Sequence, residues 1–303
     1  PLVLVSADRP AAWIGQQDGQ TLPQPGVFGS LVRRAVDVPE VYDDTTAWHA
    51  NRLINEALLA CNHRVPGPVH INMPLSEPLY SFTAPQLPQV RHITRCASLP
   101  EPPPARTMLV FGQLHGAQEP PQGYLCIAEN LSNTRGIRRV DELVADSSLP
   151  VPELVITLGG HILSKKFKQY LRAHRVQHWH VSPDGEVVDT FCSLTRVVEM
   201  PYADFLRALP PCADTGFADA WRNAENNLPA PDAGQDLALA ATKALPENPA
   251  ALLVAGGVRR TIPETAAQRR YLAAGQQLRR AHGPAFSPAA GCGRALQPRH
   301  QRY

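Results

Sequence analysis

The sequence has little charge, no long apolar run and no closely paired cysteines. Charged residues make up 18% of its 303 residues, and 29 basic against 27 acidic side chains leave a formal net charge of +2. That balance gives no large electrostatic field of the kind that attracts nucleic acid or an anionic membrane. No apolar run reaches the roughly 18 residues of a transmembrane helix. We therefore expect neither a nucleic-acid partner nor a membrane partner.

The six cysteines form no Cys-x-x-Cys pair, and no histidine stands near them at zinc-ligand spacing. The sequence therefore predicts no metal site. We interpret the cysteines as reduced thiols, which indicates a cytoplasmic protein. Apolar residues, at 44% of the chain, suffice for hydrophobic cores, and the length suggests about two domains. Because the chain opens on Pro1 without a methionine, we expect it to begin part-way through a domain.

Hydrophobic periodicity predicts two α/β units. Residues 2–5 are typical of a strand buried on both faces, 47–62 of an amphipathic helix, and 69–73 of a strand with one buried face. A proline-rich linker follows over 79–105. In a second unit, over 106–212, short strands alternate with helices, which predicts a parallel sheet with helices on its faces.

Within the second unit, strands are predicted at 108–111, 124–128, 154–158, 178–181 and 197–200, with a helix at 163–174. Beyond it, the pattern predicts helices at 217–226 and 235–245 and a strand at 251–254. Residues 265–303 carry seven arginines and no acidic residue. A basic tail of this kind is one way to bind nucleic acid, but no lysine or aromatic pattern supports that interpretation.

One candidate site lies at 158–166, where the segment LGGHILSKK runs from a predicted strand into a helix. Glycines at such a junction let backbone amides approach a ligand, and a helix N-terminus attracts anions. Lys165 and Lys166 would strengthen an anion site. The pattern matches neither the dinucleotide fingerprint nor the phosphate loop, so the spacing alone favours a purely structural turn.

A second candidate site combines Arg9, in the segment Asp8-Arg9-Pro10, with Gln20. An arginine at the carboxyl end of a parallel strand lies where open α/β sheets bind ligands, and its planar guanidinium suits a carboxylate. The alternative is an arginine that holds its own loop through the neighbouring aspartate. Spacing alone does not decide between them.

Six segments of the chain carry a family resemblance. The segments are 6–10 (SADRP), 18–26 (DGQTLPQPG), 67–72 with 76–79 (GPVHIN, SEPL), 129–133 (ENLSN), 159–165 (GGHILSK) and 178–182 (HWHVS). Taken in this order, they resemble the 2-succinyl-5-enolpyruvyl-6-hydroxy-3-cyclohexene-1-carboxylate synthases, a thiamine-diphosphate-dependent family of menaquinone biosynthesis. The resemblance extends over roughly residues 1–250.

The resemblance implies a partial thiamine-diphosphate-enzyme architecture of class α/β. Residues 1–78 correspond to the C-terminal part of a pyrimidine-binding domain, and 106–212 to a Rossmann-like central domain with a parallel sheet. Residues 213–274 correspond to the start of a diphosphate-binding domain. The intact family enzyme is expected to be a cytoplasmic homodimer or homotetramer.

The resemblance also implies an activity. The family decarboxylates 2-oxoglutarate on thiamine diphosphate, with Mg²⁺, and adds the succinyl unit to isochorismate. Arg9, Gln20 and Lys165 match positions that contact isochorismate, and Lys166 stands where some members have arginine. The competing hypothesis is a non-catalytic α/β module that binds a small anion or a nucleotide at 159–166.

Two family features are missing from this sequence. The glutamate that activates thiamine would precede Pro1, and the Gly-Asp motif for magnesium and diphosphate is not found. No catalytic residue or metal ligand can therefore be assigned, and we expect the chain alone to be inactive. From about residue 275 the resemblance stops, although a one-base shift of reading frame could restore it. We hypothesise a frameshift there and expect residues 275–303 to be disordered.

Overall fold

The structure is a computed structural model that describes residues 1–77, 86, 89–212 and 214–229. By its internal contacts the chain divides into one compact unit, Pro1–Pro229, and a second, Ala230–Tyr303. The predicted elements at 235–245 and 251–254, the hypothetical frameshift and the tail at 275–303 all lie outside the described residues. The predicted α/β class with parallel sheets is confirmed, since the described residues form two sheets whose strand pairs are parallel.

The smaller sheet has three strands in the order β1-β3-β2. These are β1 (Leu2–Asp8), β2 (Arg34–Asp37) and β3 (Pro68–Pro74), and helix α1 (Asp44–Cys61) packs on one face. The helix begins three residues before the predicted 47–62 because Asp43 and Thr46 form a capping box, in which the Asp43 carboxylate accepts the Thr46 amide at 2.7 Å.

The predicted burial of two strands in this sheet is wrong. Leu2 and Val5 of β1 are 56% and 62% exposed, because β1 lies at an edge of the sheet. In β3, predicted to have one buried face, both faces are buried because the strand is central. His70 and Asn72 tolerate this burial because the Ser6 hydroxyl of β1 lies 2.7 Å from the nearest polar atom of each.

The larger sheet has six strands in the order β4-β9-β8-β7-β5-β6. They are β4 (Thr94–Cys96), β5 (Thr107–Phe111), β6 (Leu125–Ala128), β7 (Leu154–Leu158), β8 (Gln177–Val181) and β9 (Leu194–Val198). Four helices accompany them: α2 (Val140–Leu143), α3 (Lys165–His174), α4 (Tyr202–Ala208) and α5 (Gly216–Asn226).

Alternating side chains of the larger sheet pack into two hydrophobic cores, one on each face. Met108 and Val110 face α2, α3 and α5, whereas Leu109 and Phe111 face α4. This is the expected arrangement for a parallel sheet covered on both faces. Leu163, which the sequence predicts on the apolar side of α3, is instead 45% exposed, because the helix begins after its cap, Ser164.

The six-stranded body reaches beyond the predicted limits 106–212 at both ends. Strand β4 lies inside the predicted linker and pairs with β9 at the sheet edge. At the other end, Phe217 and Trp221 of α5 are buried in the core beneath α3. Strand β4 was missed because a three-residue strand leaves no periodic signal. The helix at 217–226 was predicted, but it was assigned to the next domain, 213–274.

Helix α1 is joined to the larger sheet through a buried carboxylate. The Asp189 side chain is fully buried and accepts four hydrogen bonds: from Trp48 Nε1 (2.7 Å), an Arg91 Nη (2.8 Å), and the amides of Ser193 (2.9 Å) and Leu194 (2.8 Å). Burial of a carboxylate is costly unless its oxygens are paired, and here both are. Asp189 thus ties the helix of one sheet to a loop of the other.

A second ionic contact lies at the other end of α1. Glu199, which follows β9, accepts from Arg64 Nε (2.9 Å) and Nη2 (2.7 Å) and lies 2.8 Å from His63 Nε2. Arg95 of β4 reaches back to the Leu59 carbonyl at 3.1 Å. The two sheets are therefore connected at both ends of the helix.

We predict that Asp189→Ala lowers the free energy of unfolding by about 3–5 kcal/mol, because it leaves buried donors unpaired. Urea denaturation measures the change. Glu153→Gln is the control, since Glu153 pairs with Arg106 on the surface, where both side chains are 47% exposed, and should cost less than about 1 kcal/mol. Equal effects of the two changes would contradict the role given to Asp189.

A buried histidine pair makes stability depend on pH. The Thr157 hydroxyl lies 2.8 Å from His178 Nε2 and 2.8 Å from His180 Nδ1. Burial lowers the pKa of His180 to about 4. Burial, the largest cause, and the nearby Arg91 guanidinium and His180 ring hold the pKa of His178 well below its usual value. Both rings are therefore neutral in the folded protein.

Because the folded pKa values lie below the unfolded value of about 6.5, the unfolded chain binds more protons and stability falls as the pH drops below that value. We predict a slope of up to about 1.4 kcal/mol per pH unit for each histidine between pH 6 and pH 4.5. In urea titrations, His180→Gln should remove one histidine's share of the slope. The exposed His115→Gln should leave it unchanged, and an unaltered slope in His180→Gln would refute the assignment.

Candidate functional site

Arg9 lies directly after β1, on a well-supported backbone. The buried Asp8 carboxylate accepts the Arg9 amide at 2.8 Å and Asn72 Nδ2 at 3.0 Å. The Arg9 guanidinium pairs with Glu77 (Nη1 to Oε1, 3.0 Å) and lies 5.7 Å from the ring centroid of Trp13. Asp8 therefore holds the backbone of Arg9, and Glu77 holds its side chain.

Gln20 lies in an exposed loop, and its φ of +63° places it in the left-handed region. The same loop returns to the end of β1, where Gln24 Nε2 donates to the Ala7 carbonyl at 2.8 Å. The structure thus places Gln20 on a loop attached to the strand that presents Arg9.

The second candidate region is at the carboxyl end of the larger sheet. Phe111 of β5 is in register with Ala128 of β6 and Leu158 of β7, so the residues that follow these strands lie side by side. The order in which strands are added to the sheet reverses here, since β6 lies on one side of β5 and β7 on the other. Open α/β sheets bind ligands at such switch points.

A cleft of about 470 Å³ opens beside these strand ends, and Gln113, His115, His161 and Tyr202 are among its lining residues. Beside it the loop after β7 packs closely on the loop after β5. The Gly160 amide donates to the Gln113 carbonyl at 2.8 Å, and the Gln113 amide donates to the His161 carbonyl at 3.1 Å.

The glycines at this junction are required by packing. Gly159 has a φ of +87°, and a Cβ there would lie 2.8 Å from the Gln113 carbonyl oxygen. A Cβ on Gly112 would lie 2.3 Å from the Gly160 carbonyl oxygen. These glycines bring two loops together, in agreement with the structural interpretation of the sequence pattern.

The amides before α3 are occupied by the protein's own carboxylate. Glu129, buried at the end of β6, accepts the Leu163 amide at 2.5 Å and the Ser164 amide at 2.7 Å. Ser164 in turn caps the helix by accepting the Phe167 amide at 3.1 Å. An anion from solution would have to displace Glu129 from these amides.

Lys165 and Lys166 open α3, and both are exposed. Within the described part of the chain, neither ammonium group makes a hydrogen bond or an ion pair, and no such contact joins them to Arg9 or Gln20. The four sequence-predicted site residues thus form two pairs, one on each sheet.

Sequence reasoning missed the residues that support these pairs. Glu129 lies in a segment that carried the family resemblance, yet it received no role. Its position directly after a buried strand was the available signal, because polar residues that follow parallel strands meet at one sheet edge. The packing role of Gly112 left no signal, since it depends on a contact 48 residues away along the chain.

Across residues 1–77, 86, 89–212 and 214–229, no group of three or more histidine, cysteine, aspartate or glutamate side chains is arranged to hold a metal ion. In the same residues, no helix has both the length and the apolar character needed to cross a bilayer.

Comparison with known proteins confirms the family resemblance. The 2-succinyl-5-enolpyruvyl-6-hydroxy-3-cyclohexene-1-carboxylate synthase of Bacteroides thetaiotaomicron is 41% identical over 284 residues, which cover 82% of this chain and 51% of that protein. The synthase of Bacteroides fragilis is 43% identical over 265 residues, covering 76% and 48%. That of Phocaeicola vulgatus is 41% identical over 265 residues, covering 77% and 48%.

The chain spans about half the length of the curated relatives it matches. No family model matches it. By name the relatives are synthases, and hence enzymes.

We predict that Gly112→Ala lowers the free energy of unfolding by about 1–3 kcal/mol, because the new methyl group overlaps a backbone oxygen. Gly160→Ala is the matched control: its Cβ would meet nothing closer than 3.6 Å, so stability should change by less than about 0.5 kcal/mol. Urea denaturation of both variants measures the difference. Similar stabilities would show that the two loops do not pack in this way.

Proposed function

The chain belongs to the 2-succinyl-5-enolpyruvyl-6-hydroxy-3-cyclohexene-1-carboxylate synthase family, and on that basis we propose that it supplies substrate-binding residues for that synthesis. In the proposed reaction, 2-oxoglutarate loses carbon dioxide and its succinyl unit is added to isochorismate. Arg9, Gln20, Lys165 and Lys166 bind the acidic substrate. The observation that carries the proposal is the placement of cations beside the carboxyl ends of strands in both parallel sheets.

The chemistry of Arg9 suits a carboxylate ligand. A guanidinium has five N–H donors. Among the residues that the structure describes, the Arg9 guanidinium forms one ion pair, from Nη1 to Glu77 Oε1. The remaining donors can form bidentate hydrogen bonds to a carboxylate. Since the Asp8 carboxylate fixes the Arg9 backbone, little ordering remains to be done when substrate binds.

Lys165 and Lys166 complement this site as point charges. They stand in the first turn of α3, where the positive end of the helix dipole adds to their own charge. A substrate with several carboxylates needs such partners when it leaves water. Lysine lacks the planar fork of arginine, so these two residues attract the substrate without fixing its orientation.

The cofactors expected for the complete enzyme are thiamine diphosphate and Mg²⁺. When bound, thiamine supplies the electron sink for decarboxylation and carbon–carbon bond formation. The part of the chain described by the structure contains no cluster fit to hold the metal, so the role proposed for the four residues is substrate binding. A cytoplasmic homodimer or homotetramer remains a proposal taken from the family.

The alternative, a non-catalytic module for a small anion or nucleotide, is not favoured. The family names of the relatives point to a synthase. In addition, the amides of Leu163 and Ser164, which such an anion would use, donate to Glu129.

We predict that Arg9→Ala and Lys165→Ala each lower kcat/KM for isochorismate about tenfold to a hundredfold, because each removes a charge-assisted contact. Gln20→Ala removes a neutral contact and should cost less, about threefold to tenfold. The variants are made in the enzyme expressed from its complete gene and assayed with isochorismate, 2-oxoglutarate, thiamine diphosphate and Mg²⁺.

Arg207→Ala provides the control, since Arg207 is 77% exposed and pairs with Asp204 within its own helix. It should leave all kinetic constants unchanged. If Arg9→Ala and Lys165→Ala behaved like this control, the proposed substrate contacts would be excluded.

A further inference from the structure

Glu129 connects the carboxyl end of β6 to the loop that follows β7. It follows β6, whereas the amides that it binds belong to the loop after β7, and β5 lies between these strands. Each carboxylate oxygen accepts one amide, Oε2 that of Leu163 and Oε1 that of Ser164. The side chain therefore reaches across the switch point and holds two consecutive residues.

The held residues stand immediately before Lys165. Ser164 is fully buried, and its hydroxyl contacts both the Asp141 carboxylate and the Phe167 amide. Further along the helix, Lys168 Nζ donates to the Ile162 carbonyl at 3.1 Å. The start of the helix is thus anchored from its backbone and from its side chains, while Lys165 itself points to no protein partner in the described chain.

We infer that Glu129 is a positioning residue: its carboxylate occupies the anion-binding amides of the loop and thereby fixes the loop that presents Lys165 to substrate. The inference rests on the substrate role proposed for Lys165. In many open α/β sheets, amides at this position bind an anionic ligand from solution. Here the anion that they bind is a carboxylate of the chain itself.

Charge and reach are both required for this role. Both amides donate, so both partner atoms must accept, and a carboxylate meets this condition. Glutamine offers one accepting oxygen and one donating nitrogen, which would oppose one of the amides. Aspartate keeps the charge but is one methylene shorter, so it cannot reach both amides from the same backbone position.

Amide hydrogen exchange on this chain tests the first half of the inference. In Glu129→Gln and in Glu129→Asp, exchange at the Leu163 and Ser164 amides should accelerate at least about tenfold, because a charge-assisted hydrogen bond is lost. Exchange in the buried strand β7, at Val155 and Ile156, should not change. Glu153→Gln, which alters an exposed carboxylate, is the matched control and should leave the rates of the loop unchanged.

Unchanged exchange at the two amides in both variants would overturn the inference. Faster exchange throughout the sheet would also overturn it, since that result indicates general loss of stability. Two variants are used because, if one substitution prevents folding, the other variant still tests the inference.

Steady-state kinetics on the enzyme expressed from its complete gene test the second half. Glu129→Gln should raise KM for isochorismate about tenfold, with kcat and the KM for 2-oxoglutarate nearly unchanged. If Glu129→Gln accelerated exchange at the Leu163 and Ser164 amides but left the KM for isochorismate unchanged, the positioning role of Glu129 would be overturned. If Lys165→Ala itself left kcat/KM for isochorismate unchanged, the proposed function would fail, and the exchange result would still decide whether Glu129 fixes the loop.

Discussion

The Asp189 carboxylate is the interaction on which the arrangement of the two sheets depends. It is fully buried and accepts from Trp48 and Arg91 as well as from two backbone amides. A carboxylate in this environment stabilises only the geometry in which all its partners are in place, since loss of one leaves a charge uncompensated. The candidate substrate contacts are divided between the sheets, with Arg9 on one and Lys165 on the other. Their relative position therefore depends on polar contacts at the two ends of α1, that of Asp189 at one end and that of Glu199 at the other.

A buried carboxylate that accepts backbone amides occurs at each candidate site and at the contact between the sheets. Asp8 accepts the Arg9 amide, Glu129 accepts the amides before Lys165, and Asp189 accepts the amides that begin β9. In each case a buried carboxylate satisfies backbone donors that lie at or near strand ends. Such donors cannot be left unpaired when the loops that carry them are packed against one another. Burial of the carboxylates is offset by these short contacts, and the loops gain a single conformation.

Prediction from sequence succeeded where a physical signal is local or periodic. Five strands of the larger sheet, helix α1 and helix α5 were all located, because their apolar residues recur at strand or helix spacing. Burial was predicted poorly, since the exposure of Leu2 and the burial of His70 depend on which strand occupies the sheet edge. Strand β4 and the partners of Glu129 were missed for a related reason: each is defined by residues distant in the sequence. The family resemblance identified candidate residues, but the contacts that support them became visible only in the fold.

The two halves of the candidate site differ in how they are supported. Lys165 lies in helix α3, which packs on a sheet that has a hydrophobic core on each face. Arg9 stands on a sheet whose edge strand exposes Leu2 and Val5 to solvent, so little apolar burial holds that strand in place. Its position depends instead on the parallel backbone ladder that pairs Leu2–Asp8 with β3, and on the side-chain contacts that link Ser6 and Asp8 to the same strand. Polar contacts of this kind are directional, and directional contacts fix an angle better than apolar packing does. For a guanidinium proposed to bind a planar carboxylate, a fixed angle favours two-point hydrogen bonding.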